Sequence, residues 1–288
     1  MKTKSDAYVV CRNPGSIAML VILSFSLGLL SCRQQKKSVT ESNEPTRKEI
    51  PEPPENQNRG QVLLDKCLLA HGGLDRWKSY EGLEYQLNSN GKEVYQITQL
   101  KDRRAYLKSK SYEVGFDGKV AWALPDASEV PGESAVFYYN LDFYFIGIPF
   151  LLKDPGVKAT YAGKATINGQ PYESLKITFN PGVGFTPEDV YHLYIEPETF
   201  MLRILTYSVA YFNRENAPVN SAKLYTDYIY VDGLLMPTTM ENFEWKDGAM
   251  GESKNYVRHF SEFRFLKQIP DETLFQVPEG AVIEELTQ

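Results

Sequence analysis

From Leu83 onward, apolar and polar residues alternate with a period of two, and this pattern constrains the fold more than any other feature. Leu83, Tyr85 and Leu87 fall on one face and Glu84, Gln86 and Asn88 on the other, as in a half-buried strand. Asn90-Gly91 then supplies a hairpin turn. Further short strands are expected over 93–100, 104–109, 111–116 and, after Asp117-Gly118, 119–124. Neighbours joined by turns this tight must run antiparallel, since a parallel pair needs a long crossover. A second series follows. Segments 158–167 and 172–179 flank Asn168-Gly169, segments 190–195 and 201–209 flank a turn at 196–199, and segments 222–231 and 235–245 flank Asp232-Gly233. Segment 253–266 ends it. About a dozen strands at this spacing predict a mainly β barrel or sandwich. The 19 Tyr and 15 Phe suit the half-buried faces of such strands.

Residues 136–153 (VFYYNLDFYFIGIPFLLK) interrupt the rhythm. The run is almost continuously apolar, bounded by Pro131-Gly132 and Asp154-Pro155-Gly156, and Pro149 predicts two short helices rather than one. Helices apolar on nearly every side must bury most of their surface. The insert either plugs the inner side of a curved sheet or lids a cavity for an apolar ligand. Phe137, Tyr138, Phe143, Phe145, Phe150, Leu151 and Leu152 of the insert, with Trp77 and Trp122, are the candidate ligand-binding residues.

Ahead of the strands, 60–71 (GQVLLDKCLLAH) has helical spacing, with Val62, Leu63, Cys67 and Ala70 on one face and Gly72-Gly73 as its stop. Cys67 is expected to be a small buried hydrophobe. At the other end, 270–278 reads as a closing turn that pins Phe275 and Val277 to the core.

The amino-terminal residues follow a different logic. Lys2, Lys4 and Arg12 precede the apolar run 17–30, which at 14 residues is shorter than the ~20 a spanning helix needs. A positive segment, an apolar run and a small residue make a secretory signal. Residues 33–59 are polar and carry Pro45, Pro51, Pro53 and Pro54. Such a segment buries too little to offset its ordering entropy and is expected to act as a tether. The expected organisation is therefore a signal over 1–31, Cys32 and a tether over 32–59, and one β domain over 60–288.

No catalytic set is present. Gly132-Glu133-Ser134-Ala135-Val136 fails the G-x-S-x-G pattern at its last position, and HExxH, CxxC and GxxxxGK[ST] do not occur. His192 and His259 lie in alternating segments and read as structural, and Gly182-Val183-Gly184 follows Asn180-Pro181 as a turn. His71 and Asp75 have a ligand-like spacing, but the intervening glycines break the helix that would align them. The pairs Glu188-Asp189 and Glu284-Glu285 read as solvated charge. No metal or cofactor is called for. The net charge of −6 argues against general nucleic-acid binding. Nothing in the residues names a protein partner.

Leu29-Leu30-Ser31-Cys32 resembles the lipobox of bacterial lipoproteins. That resemblance implies cleavage between Ser31 and Cys32, a diacylglycerol on the Cys32 sulfur and an acyl chain such as palmitate on the new amino terminus. More than one chain is what stable membrane anchoring requires. The basic stretch Arg33-Gln34-Gln35-Lys36-Lys37 differs from acidic surface-export signals, which implies an outer-membrane anchor facing the periplasm. Within the domain, AHGGLDRW (70–77), FLLKDPG (150–156), HLYIEPET (192–199), YVDGLLMP (230–237) and IPDETLFQVPEG (269–280) resemble the LolA/LolB class of periplasmic lipoprotein carriers. That class implies an open, strongly curved antiparallel half-barrel, closed by an amino-terminal helix and an apolar helical insert around a cavity. It also implies a non-enzymatic, membrane-anchored protein that binds or carries a lipid or acyl chain. A structural or interaction lipoprotein with a filled core, and a glycan binder using exposed Trp77, Trp122 or Trp245, are the alternatives.

Overall fold

The computed structural model describes residues 54–184, 186–211 and 217–286. The signal at 1–31, Cys32 and the first part of the tether lie outside the described residues.

Helix α1 (Glu55–Ala70) begins earlier than Gly60. Pro54 precedes its first turn, where a missing N–H costs nothing, and Glu55 faces the positive end of the helix. Its buried face is Gly60, Leu63, Leu64, Cys67 and Leu68, so Val62, expected inside, points to solvent. Gly60 permits the helix to lie against the edge of the sheet: a Cβ there would sit 2.6 Å from the carbonyl oxygen of Ala159. A short helix α2 (Leu74–Lys78) follows the glycine pair.

The sheet is built from two meanders. The first is β1 (Gly82–Ser89), β2 (Lys92–Gln99), β3 (Ala105–Ser109), β4 (Glu113–Phe116) and β5 (Val120–Leu124). The second is β6 (Val157–Ile167), β7 (Gln170–Phe179), β8 (Tyr191–Ile195), β9 (Leu202–Tyr207), β10 (Ser221–Val231), β11 (Leu234–Lys246) and β12 (Ala249–Leu266). A short β13 (Val282–Glu285), not foreseen in the sequence, adds to β5. The order is β13-β5-β4-β3-β2-β1-β12-β11-β10-β9-β8-β7-β6, a 13-stranded sheet that is antiparallel throughout. The meanders meet where Leu83 pairs with Phe265 and Leu87 with Phe260. Edge strands β13 and β6 do not pair with each other, so this is one open sheet, neither a closed barrel nor a sandwich.

The order dictates the path of the insert. Strands β5 and β6 lie at opposite ends of the sheet, so the chain between them has to cross its face. It does so as α3 (Ala135–Tyr138), α4 (Leu141–Gly147) and a 3-10 turn at Phe150–Lys153. That is three pieces, not two: Pro149 makes one break and Tyr139-Asn140 another. Helix α3 touches β4, β5 and β13, whereas the 3-10 turn touches β6. One insert reaching both ends of the sheet marks this face as the concave one.

The period-two alternation sorts the core accordingly. Leu83, Tyr85, Leu87, Leu107, Tyr225 and Phe260 pack on the concave side with the insert. Ile97, Tyr106 and Trp122 face the other way, beneath Ile269 and Phe275. The closing turn is thus where it was expected, with Asp271 accepting from Thr273 N (2.9 Å) and Val277 packed at the edge of the cluster. Ile167, Tyr172, Tyr194, Ile204 and Ala222 form a separate cluster on the convex face of the second meander.

Candidate functional site

The insert packs on the concave face and leaves space beside it. Beside it lies a cavity of about 710 Å³, within the range of small-molecule sites. Phe137, Tyr144, Phe145 and Leu151 form the insert side of its wall, and Phe179, Tyr191 and Tyr207 form the sheet side. Three of the expected ligand-binding residues, Phe137, Phe145 and Leu151, therefore reach the cavity. The others are packed elsewhere. Phe150 stacks on Trp77 with ring centroids 4.6 Å apart, Phe143 tilts against the same ring, and Tyr138 meets Tyr112. Leu152 is in the concave-side core. The insert is therefore part plug and part cavity wall.

Trp122 belongs to the opposite face. It lies over Gly115, where a Cβ would come within 2.3 Å of the indole ring. Trp77 and Trp122 are buried, and Trp245 is half-buried against Tyr194 at 5.4 Å, so the exposed tryptophans that a glycan platform requires are not present at these positions.

Part of the cavity lining is polar. Arg258 on β12 forms an ion pair with Asp142 in the first turn of α4, and the two side chains are only 5% and 2% exposed. Two strands away, buried Lys223 donates its Nζ hydrogen to Asn242 Oδ1 at 2.9 Å. The ammonium lies 4.2 Å from the centre of the Phe145 ring and 5.4 Å from that of Tyr207. The Arg258 guanidinium stacks over Tyr256 at 4.2 Å. Lys223, Asn242, Tyr256 and Arg258 all line the cavity. Burial pushes the Lys223 amine well below its ordinary range, helped by Arg258 and opposed by Asp142. Burial is the largest influence on Arg258 and opposes its charge, but the Asp142 carboxylate, with Tyr256, Tyr207 and Tyr138 adding to it, raises the guanidinium pKa overall.

These polar residues were missed in the sequence, although a signal existed. Lys223 shares strand parity with the apolar Tyr225, and Arg258 with Tyr256 and Phe260, so both cations sit on the buried face. Two carboxylates read as solvated are also corrected. Asp189 is buried at the cavity and accepts from Ser208 Oγ (2.8 Å) and Ala210 N (2.9 Å). Glu284 accepts from Ser134 Oγ (2.6 Å) and Ala135 N (2.7 Å), capping α3 from β13. Their neighbours Glu188 and Glu285 are exposed.

His71 and Asp75 do not converge. His71 is buried edge-on against Tyr228, whereas Asp75 is exposed. The His71 Nδ1 hydrogen is directed to the Cys67 carbonyl oxygen at 2.8 Å, and burial lowers the ring pKa to about 4. Cys67 is fully buried, as expected, and burial raises its thiol pKa. His259 is exposed and His192 half-buried. Two of the motif segments, 70–77 and 230–237, meet in space. Gly72 and Gly233 touch so closely that a Cβ on Gly72 would lie 2.3 Å from the Gly233 oxygen, and Arg76 Nη1 donates to the Asp232 carbonyl at 3.2 Å. Both glycines have positive φ, at +104° and +79°.

This arrangement defines a class: an open antiparallel sheet whose concave face carries a crossing helical insert and an aromatic-walled cavity. Residues 128–232, which contain the insert and β6 to β10, match a family of unknown function, DUF6503. Among curated proteins no match is found. Among solved structures the chain is similar to a DUF1329 family protein from Desulfovibrio piger, at 12% identity and a TM-score of 0.46 over 75% of this chain and 97% of that one. It is also similar to a LolA superfamily protein from Nitrosomonas europaea, at 11% identity and a TM-score of 0.46, again over 75% and 97% of the two chains. The Mycobacterium tuberculosis lipoprotein LppX is a more distant likeness, at 11% identity and a TM-score of 0.23 over 52% of this chain and 88% of that one.

Proposed function

We propose that this chain is a membrane-anchored, periplasm-facing lipoprotein that binds an acyl-chain ligand between its insert and its sheet, without catalysing a reaction. The observation that carries the reading is the aromatic-walled cavity beside the insert. Its volume and its lining by Phe137, Tyr144, Phe145, Phe179, Tyr191 and Tyr207 suit an apolar chain better than a polar solute. The anchor part of the reading rests on Ser31-Cys32 and the segment before it.

A probe experiment tests the binding half. Phe145 and Leu151 line the cavity, whereas Val94 is buried in the core without lining it. Large-to-small changes in a tight core cost about 2–5 kcal/mol, and less where space already exists. Phe145→Ala and Leu151→Ala should therefore lose a fluorescent acyl-chain probe with modest loss of stability, and Val94→Ala should lose stability but keep the probe. If the protein binds no such probe and both insert variants behave as core variants, the insert is a plug and the protein an anchored scaffold. Membrane fractionation tests the other half: Cys32→Ser should leave the signal uncut or release the protein, and normal processing with retention at the membrane would refute the anchor.

A further inference from the structure

The charges around the cavity do not balance in an ordinary way. At its margin, Arg103 pairs with Asp154 at 2.6 Å and Asp102 with Arg104 at 2.7 Å, all partly exposed. Inside, Asp189 is engaged by Ser208 and Ala210, and Asp142 is taken by Arg258. Lys223 is left over. Its polar partner is the neutral Asn242, and among the described residues no carboxylate forms an ion pair with it. Arg258 has a second unmet requirement: its Nη1 is buried, in a residue only 4% exposed, and has no hydrogen-bond partner among the described residues.

Charging a buried amine that has no counter-ion is costly, and a buried donor without an acceptor is costly too. Both lie on side chains that line the same cavity, and the two are near enough for Arg258 to act on the Lys223 charge. One acidic group placed there would complete both. The geometry points to that group: we propose that the ligand is an anionic amphiphile, a single acidic headgroup seated between Lys223 and Arg258 with its apolar chain along the aromatic wall. Phe145 and Tyr207 are shared by the two halves of the site, since they flank the Lys223 ammonium and also line the cavity. The headgroup chemistry required is a monoanion with acceptor oxygens, supplied by a fatty-acid carboxylate or by a lipid phosphate. Burial of the Lys223 amine drives it toward its neutral form, and an anion beside it reverses that tendency. The inference rests on the proposed acyl-chain site and adds the headgroup to it.

Three fluorescent probes with the same chain distinguish the possibilities: a fatty acid, its methyl ester, and a lysophospholipid whose only charge is one phosphate. The full chain should bind at least one of the two acids roughly 10- to 100-fold more tightly than the ester, the worth of a hydrogen bond to a charged group. Whichever acid binds better identifies the headgroup source. Lys223→Met should erase most of that preference while keeping ester binding. If the acids and the ester bind the wild-type protein equally, the headgroup proposal fails and the acyl-chain site stands. If none of the three binds, both fall. The wild-type comparison decides the matter even if Lys223→Met does not fold. A folded Lys223→Met protein that keeps the full acid preference would overturn the assignment.

Discussion

Asp142 and Arg258 face each other inside the concave side of the sheet, one from the insert and one from the penultimate strand, with almost no exposure to water. The pair therefore ties the crossing segment to the second meander. Breaking a buried pair from one side leaves an uncompensated charge, which typically costs about 3–5 kcal/mol. Asp142→Asn should fall in that range in urea unfolding. The double variant Asp142→Leu with Arg258→Met, which removes both charges, should recover much of the loss. A double variant as unstable as Asp142→Asn would show that the carboxylate acts through something other than this pair.

His71 gives the fold a dependence on pH. In the unfolded chain an imidazole titrates near 6.5, whereas burial holds it near 4 in the fold. The neutral ring is the native form, so its contribution is fully present above 6.5 and is lost as pH falls from 6.5 toward 4. Below that value both states are protonated and no further loss occurs. The difference amounts to about 3 kcal/mol. Urea unfolding at several pH values should show a steeper decline for the wild type than for His71→Gln across that window. Parallel curves would refute the assignment.

Glu284 caps α3 from a different strand, and its removal should be felt there first. A lost cap costs about 0.5–2 kcal/mol. In Glu284→Ala, amide exchange at 135–138 should quicken while that of β10 to β12 stays slow. Unchanged exchange at Ala135 and Val136 would show that Ser134 alone suffices as the cap.

Cys67 should resist alkylation in the native protein. It is fully buried, and burial holds it as the unreactive thiol. Iodoacetamide labelling of the Cys67 peptide, read by mass spectrometry, should be slow in buffer and rapid once denaturant is added. Fast native labelling would mean that α1 leaves the sheet.

Much of the fold was legible because strand period and turn residues are local signals. Asn90-Gly91, Asn168-Gly169 and Asp232-Gly233 each mark a hairpin that forms where the pattern places it. Openness was not legible from the alternation, since a barrel and an open sheet share it. The difference lies in whether β6 and β13 meet, and β13 itself is four residues of ordinary composition. The cavity's aromatic wall was half legible: an apolar run says that it is buried, not which of its rings face space. Phe145 and Phe143 are indistinguishable in sequence, yet one reaches the cavity and the other packs on Trp77. The charged part was harder still. Asp142, Lys223 and Arg258 are far apart in the chain, and only the sheet order brings them to one place.

The seam between β1 and β12 also has a temporal meaning. Each meander can assemble from neighbours in sequence, but Gly82 finds Leu266 only after nearly the whole chain exists. Non-local pairings of this kind slow folding, because loop-closure entropy comes before the contacts that reward it. Until then β1 keeps a free hydrogen-bonding edge, a template for the wrong chain. The chain is thus most exposed to aggregation in the interval when the first meander is complete and its partner strand has yet to pair.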